Sequence, residues 1–397
     1  MKLITREYYL NKLINVKGTP DIKVITGIRR SGKSKLLESY IDYIKRDFPD
    51  NNIIHINYNL ARYEALKEYH ELHDYVELHY IPGIDNIVLI DEVQMCTGFE
   101  KALIGLHTLE KYDIYITGSN AFLLNSDLAT LLTGRTFKIE VYPFSFDEFI
   151  QYYECSDIHA GLDRYLLEGG MSGSYAYGET MQKEAYINDV FNTLVIRDIV
   201  TKYKIRRRDI LEELSDYLMD NISNETSARK IAETLNSNKA ETNNRTITTY
   251  INYLCNAFAF YRIRRYDISG KRYLASIDKY YLCDHSFRYA KLGTKNMNYG
   301  RTLENIVAIE LLRRGYEIYT GVLYKKEIDF VAIKRNEKFY IQVCDNISDE
   351  KTFKREVTPL LKIKDAYPRM VIARTRHDDY QYEGIRIVDA ASWLLSK

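Results

Sequence analysis

The chain has 397 residues with 46% apolar and 28% charged side chains, an ordinary globular balance that excludes a disordered or fibrous protein and allows two to four domains. Its apolar runs all fall short of the roughly 18 residues a membrane helix needs, the start (Met1 to Glu7) turns charged before a signal-peptide core could form, and five scattered cysteines without a CxxC pair suit a reducing cytoplasm. The net charge of +1 hides an asymmetry: residues 1–200 carry 20 basic against 29 acidic side chains, residues 201–397 carry 36 against 26, so the halves are expected to meet different partners.

In chain order, the first strong signal is Gly27-Ile28-Arg29-Arg30-Ser31-Gly32-Lys33-Ser34, a complete GxxxxGK[ST]. An apolar strand, Ile22 to Thr26, precedes it, and a helix-forming segment from Ser34 to Ile41 follows, the order a phosphate-binding loop requires. The glycines let backbone N–H groups turn inward around phosphate, at a helix N-terminus whose partial positive charge favours anions. Lys33 is expected to reach the β- and γ-phosphates of ATP, and the Ser34 hydroxyl to ligate Mg²⁺. Ser31 and Gly32 belong to the same cradle; Arg29 and Arg30 either touch nucleotide or pack on the sheet.

Ile87 to Ile90 is an uninterrupted apolar run ending in Asp91-Glu92, which suits a central parallel strand covered on both faces. Its carboxyl end is where a doubly wound sheet places its ligand. Asp91 is expected to hold Mg²⁺ through water, and Glu92 to orient or deprotonate the attacking water. A further strand, Tyr112 to Ile116, runs into Thr117-Gly118-Ser119-Asn120, where Ser119 or Asn120 could contact the γ-phosphate or the water. His70, His73 and His79 lie in an acidic stretch without an HExxH motif and read as a solvated helix.

These three segments together resemble the AAA+ branch of P-loop ATPases. Leu131-Leu132-Thr133-Gly134-Arg135 and Pro143-Phe144-Ser145-Phe146-Asp147-Glu148-Phe149, with Glu168-Gly169-Gly170-Met171-Ser172-Gly173 and Val195-Ile196-Arg197-Asp198, resemble the prokaryotic and archaeal AAA ATPases that carry an uncharacterised C-terminal domain. The resemblance implies that Arg135 is an arginine finger acting on a neighbour's γ-phosphate, within a homo-oligomer; a local salt bridge to Glu140 or another acid is the alternative.

Further along, Ser227 caps a helix with Ala228, Ile231, Ala232 and Leu235 at helical spacing, and a polar turn leads to a second helix, Thr246 to Phe260. A hairpin rich in Arg262, Arg264, Arg265, Lys271 and Arg272 follows around Gly270. Two helices and a basic hairpin resemble a winged helix, in which the second helix enters the DNA major groove. DNA contacts are assigned to residues 202–208, 245–249 and 262–272. Protein docking is the other use of such a module.

The last segment joins a helix from Arg301 with Glu304, a strand with Glu327 and Asp329, and a strand with Gln342 and Cys344. This resembles the PD-(D/E)XK nucleases, among them restriction endonucleases and Holliday-junction resolvases, whose carboxylates bring in Mg²⁺ beside a lysine. The chain departs from the active pattern, since Gln342 holds the acid position and Cys344 the lysine position, so Glu304, Asp329, Gln342 and Cys344 form a vestigial site unless Lys326 or Lys338 has migrated into the lysine's role. The fold class expected is α/β: a P-loop NTPase (AAA+) domain over 1–150, a helical lid or linker over 151–208, a winged helix over 209–290, and a restriction-endonuclease-like α/β domain over 291–397. The expected function is ATP binding and hydrolysis coupled to DNA engagement, with an ATP-gated Mg²⁺-dependent endonuclease or a nucleotide-controlled protein-interaction switch as alternatives.

Overall fold

The structure, a computed structural model, describes residues 4–118, 132, 134–238, 240–293, 298–324 and 326–396. The chain divides into two units, one ending at Val141 and one beginning at Tyr142.

The first unit is built on five parallel strands, β1 (Ile22–Thr26), β2 (Asn52–Asn57), β3 (Asn86–Asp91), β4 (Tyr112–Thr117) and β5 (Thr136–Glu140), in the order β2-β3-β4-β1-β5. Every residue of β1 and β3 is buried, as an apolar run between two helical layers demands. Val88, Ile90, Ile54, Ile56, Ile114 and Ile116 share one core with Leu72, Leu103 and Leu106 of the helices Tyr69–Leu78 and Phe99–Thr108. Lys23, fully buried in β1, is tolerated there because its ammonium lies 2.6 Å from Asp113 Oδ1 of the adjoining β4. Parallel pairing puts the carboxyl ends of β1, β3 and β4 side by side, so the glycine loop, Asp91-Glu92 and Thr117 converge on one edge of the sheet.

The second unit opens with the helix Phe146–Tyr153, which carries a reciprocal cap: Ser145 Oγ accepts from the Glu148 N–H at 3.1 Å, and the Ser145 N–H donates to Glu148 Oε2 at 2.8 Å. Read from the sequence as the end of the front domain, this helix instead packs in the second unit, with the Phe149 ring 5.1 Å from Tyr165 and 5.6 Å from Tyr175. The region 151–208, expected to be a linker, is likewise part of this unit. Asp163 on the helix Ile158–Glu168 meets Arg374 at 2.8 Å and Arg376 at 2.6 Å. Gly170 donates to Asp284 at 2.6 Å, and a Cβ at Gly169 (φ +69°) would stand 2.3 Å from the same carboxylate. That close approach is why the Gly-Gly pair is there. The helix Thr180–Asp189 continues through a π-helical turn, Val190–Ile196, into Arg197–Tyr203.

The helices Arg208–Asp220, Ala228–Ser237 and Asn244–Asn256 lead into β6 (Phe260–Asp267) and β7 (Arg272–Leu282). Ser227 and Asn243 cap the second and third of these helices, accepting from the Lys230 and Thr246 N–H groups. The hairpin is not a separate wing. Residues 265–267 of β6 pair in parallel with residues 320–322 of β8 (Glu317–Leu323), and the sheet continues through β9 (Lys326–Lys334), β10 (Glu337–Cys344), β11 (Arg369–Ala373), β12 (Tyr380–Tyr382) and β13 (Ile385–Asp389) in the order β12-β13-β11-β10-β9-β8-β6-β7. The expected boundary between a winged helix ending at 290 and a domain beginning at 291 is therefore bridged by one eight-stranded sheet. An edge strand leaves a row of unpaired N–H and C=O groups that the next hairpin satisfies.

Candidate functional site

The glycine loop links β1 to the helix Lys33–Asp47. Gly27 has φ +137°, and a Cβ there would lie 2.1 Å from the Val141 carbonyl oxygen, so only glycine fits. Gly32, at φ +93°, caps the helix, and Arg30 also takes a left-handed conformation (φ +62°) while remaining exposed. The Lys33 ammonium is buried and donates to the Gly27 carbonyl at 3.0 Å and the Ile28 carbonyl at 3.1 Å. Burial lowers its pKa to about 8, against the pull of Glu92 and Asp91 and helped by the charge of Arg29. Ser31 is 2% exposed, and among the described residues its hydroxyl has no hydrogen-bond partner. An orphaned buried hydroxyl beside a buried ammonium fits an anion with several oxygen acceptors. Ser34 sits in the first helical turn, half-buried.

Asp91 ends β3 at 1% exposure. Its Oδ1 accepts from the Thr117 hydroxyl, and that hydroxyl's oxygen accepts the Glu92 N–H at 3.1 Å. Glu92 is held at φ +59°, and its carboxylate accepts from the Gln94 side chain. A non-glycine residue in that conformation costs roughly 1–3 kcal/mol and is retained where the surroundings enforce it. The sequence reading named Ser119 and Asn120 after β4; both lie outside the described residues. It missed Thr117, whose signal was register: Ile90 pairs with Ile116, which sets Asp91 beside Thr117. It also missed Arg6, buried at 5% exposure, whose Nη1 donates to the Ser31 carbonyl at 2.7 Å and steadies the loop from outside. No motif announces Arg6, because its partner is 25 residues away.

Arg135 lies at the other edge of this sheet. Its carbonyl accepts from the Ile22 N–H at 2.8 Å, at the amino end of β1, and it is exposed with no ion pair among the described residues. The alternative of a salt bridge to Glu140 is thus not formed. Four strand residues separate this end from Thr26, about 13 Å at 3.3 Å per residue, before the loop begins. A guanidinium there cannot reach its own chain's loop.

In the second unit, Glu304, Asp329 and Gln342 come together. Gln342 Oε1 accepts the Asp329 N–H at 2.7 Å, its amide donates to Glu356 at 3.1 Å, and Asp329 Oδ2 accepts the Val343 N–H at 2.8 Å. Cys344 is buried in the core with Tyr340, Val357 and Leu360, and burial raises its thiol pKa far beyond the ordinary range. Neither Lys326 nor Lys338 joins the carboxylates: Lys326 is exposed, and Lys338 sits over the rings of Tyr266, Tyr340 and Tyr367 with Asp365 at 4.0 Å. The lysine that does reach them is Lys279 of β7. The signal for it was a lysine at an inward position, in phase with Tyr281.

Of the basic segments assigned to DNA, many side chains are neutralised locally. Arg207 pairs with Asp209, Arg208 with Glu212, Arg265 with Glu225 and Arg272 with Asp267. Arg206, Arg245, Arg264 and Lys271 are exposed with no ion pair among the described residues. A groove of about 500 Å³ runs between the N-termini of the two capped helices and β7, lined by Ser227, Arg229, Asn244, Thr248, Arg262 and Asp278 among others. His73, half-buried, lies 3.5 Å from Glu77 and 3.7 Å from Asp74, both exposed on the same helix. Among the described residues no helix is long and apolar enough to cross a membrane.

Residues 19–150 match the family described as an AAA domain, and residues 159–298 a domain of unknown function (DUF8612). An uncharacterised protein of Haemophilus influenzae is 38% identical over 99% of both chains. An uncharacterised protein of Methanocaldococcus jannaschii is 28% identical over 92% of this chain and 84% of its own. Among solved structures, Aeropyrum pernix ORC1 in complex with DNA overlaps 74% of this chain and 93% of its own at 11% identity and a TM-score of 0.33, and AMPPCP-bound DnaA of Aquifex aeolicus overlaps 62% and 85% at 14% and 0.32. Overlaps this slight carry nothing about function.

Proposed function

Because this chain belongs to the same family as the Haemophilus influenzae protein, and residues 19–150 form an AAA domain, we propose that it binds and hydrolyses ATP and uses the nucleotide state to control DNA engagement by its second unit. The observation that carries the first part is the convergence of Lys33, the orphaned Ser31 hydroxyl, Asp91 and Glu92 on one sheet edge. Main-chain amides of the loop and the Lys33 ammonium hold the phosphates. Ser34 and Asp91 would hold Mg²⁺, which when bound neutralises charge shared by the β- and γ-oxygens. Glu92 accepts the proton of the attacking water, and Thr117 keeps Asp91 and the Glu92 backbone in place.

The lowered lysine pKa gives this reading a pH signature. Below about 8 the Lys33 ammonium is already charged in the free protein; above it the amine is neutral, and phosphates restore the proton on binding. ATP binding is expected to take up much more proton at pH 9, where the free amine is mostly neutral, than at pH 7, where it is already mostly charged. Calorimetry in two buffers of different ionisation heat measures this, and equal uptake at both pH values would contradict a buried lysine meeting the phosphates.

The DNA part rests on Arg245, Arg264 and Lys271, exposed on the helix Asn244–Asn256 and on the hairpin. If these three side chains meet phosphates, affinity for duplex DNA should fall roughly 40-fold between 50 and 200 mM salt. Titrating labelled duplex with and without ATP across that range tests it, and no binding at 50 mM salt would end this part. The local pairing of Arg207, Arg208, Arg265 and Arg272 favours the second reading, a nucleotide-controlled protein-docking switch. A pull-down that survives nuclease treatment would select it.

A further inference from the structure

The nuclease-like arrangement around Glu304 and Asp329 asks for a divalent cation, and the residues there do not fit one. Lys279 projects from β7 with its side chain 3% exposed, and its ammonium lies 2.9 Å from Glu304 Oε1 and 2.7 Å from Glu327 Oε1. Tyr281, two residues along on the same face, donates to the same Glu304 oxygen at 2.7 Å. Asp329 Oδ2 is taken by the Val343 N–H. The acid position is Gln342, whose carbonyl oxygen is already held by the Asp329 N–H and whose amide reaches Glu356. Proton donors therefore take one oxygen of each of Glu304, Glu327 and Asp329 and the carbonyl oxygen of Gln342, which leaves an incomplete oxygen set for Mg²⁺, an ion that demands near-octahedral ligation.

We propose that Lys279 is the built-in cation of this cluster, standing where a divalent ion would otherwise sit between Glu304, Glu327 and Asp329, and that the site takes up neither Mg²⁺ nor Mn²⁺. The charges agree. Burial works against the Lys279 ammonium, yet Glu304, Asp329 and Glu327 together hold its pKa above that of a free lysine. A second positive ion within about 3 Å of the ammonium would meet strong repulsion in so enclosed a place. The cluster also has a mechanical consequence: it ties β7, and with it the hairpin, to the helix Tyr299–Arg313 and to β9. The Leu282 N–H and carbonyl add two bonds to the Asn305 side chain, at 2.7 and 2.9 Å.

The inference is independent of the ATP reading, since it concerns the nucleotide-free protein. Bound Mn²⁺ is counted by electron paramagnetic resonance on the full chain without nucleotide, with thermal melting as a second readout. The wild type and Asp329→Asn are expected to titrate identically. Lys279→Met, which keeps the length of the side chain and removes its charge, is expected to gain one Mn²⁺ site at least tenfold tighter than any in the wild type, lost again when Glu304→Gln is added. Wild-type Mn²⁺ binding that disappears in Asp329→Asn overturns the proposal, as does a folded Lys279→Met that gains no site. Should Lys279→Met fail to fold, the wild-type and Asp329→Asn pair decides: equal titrations support it, unequal ones refute it.

Discussion

Lys33→Ala is expected to abolish measurable ATP turnover, lowering it by about 10² to 10³, the loss typical of deleting one preorganised donor to developing charge. The folded state should survive. The ammonium is buried at a cost and is answered by the two carbonyls of Gly27 and Ile28, so removing it takes away a penalty together with two hydrogen bonds. The melting temperature without nucleotide should therefore stay within a few degrees of wild type. Stabilisation by ATP, several degrees in the wild type at saturating nucleotide, should vanish. Gly27→Ala provides the contrast: its Cβ would enter the space of the Val141 carbonyl, so the loop itself deforms and melting falls along with binding. Turnover in Lys33→Ala equal to wild type would remove the phosphate loop from the mechanism.

Arg135→Ala should reduce turnover by about 10³ or more while leaving ATP affinity near that of wild type, as expected of a cation that meets only the transition state. The position of the residue fixes the form of the experiment. Arg135 adjoins the amino end of β1 while the loop follows its carboxyl end, so a finger can act only on another copy. Wild-type turnover per chain should then rise with protein concentration. Mixing Arg135→Ala, which retains an intact loop, with Lys33→Ala, which retains an intact arginine, should recover part of the lost rate. An Arg135→Ala variant at full activity, or a wild-type rate independent of concentration with no recovery on mixing, would exclude a finger supplied in trans.

The nucleotide site was legible because its parts are local. The Gly27 to Ser34 spacing, the apolar run into Asp91-Glu92 and the cap at Ser227 each depend on residues a few positions apart, and local backbone chemistry admits few solutions to such patterns. The AAA character of the front region followed from the same segments, and a family match over 19–150 agrees with it. What composition implied about the back half was less durable. Its basic surplus is real, but five acidic partners close by in space or sequence, Asp209, Glu212, Glu233, Glu225 and Asp267, draw on it.

The sequence by itself thus determined the strand–loop–helix order around Gly27 to Ser34, the buried strand that ends in Asp91, and the helix that Ser227 caps. Only the tertiary structure decided that Thr117 braces Asp91, that Arg6 supports the loop, that the hairpin merges into the eight-stranded sheet, and that Lys279 pairs with Glu304 and Glu327. The reason is sequence separation. Arg6 and Ser31 are 25 residues apart, Asp91 and Thr117 26, Lys279 and Glu304 25. Such pairs exist only once strand order and register have brought distant segments together, and no periodicity of 2 or 3.6 residues records them.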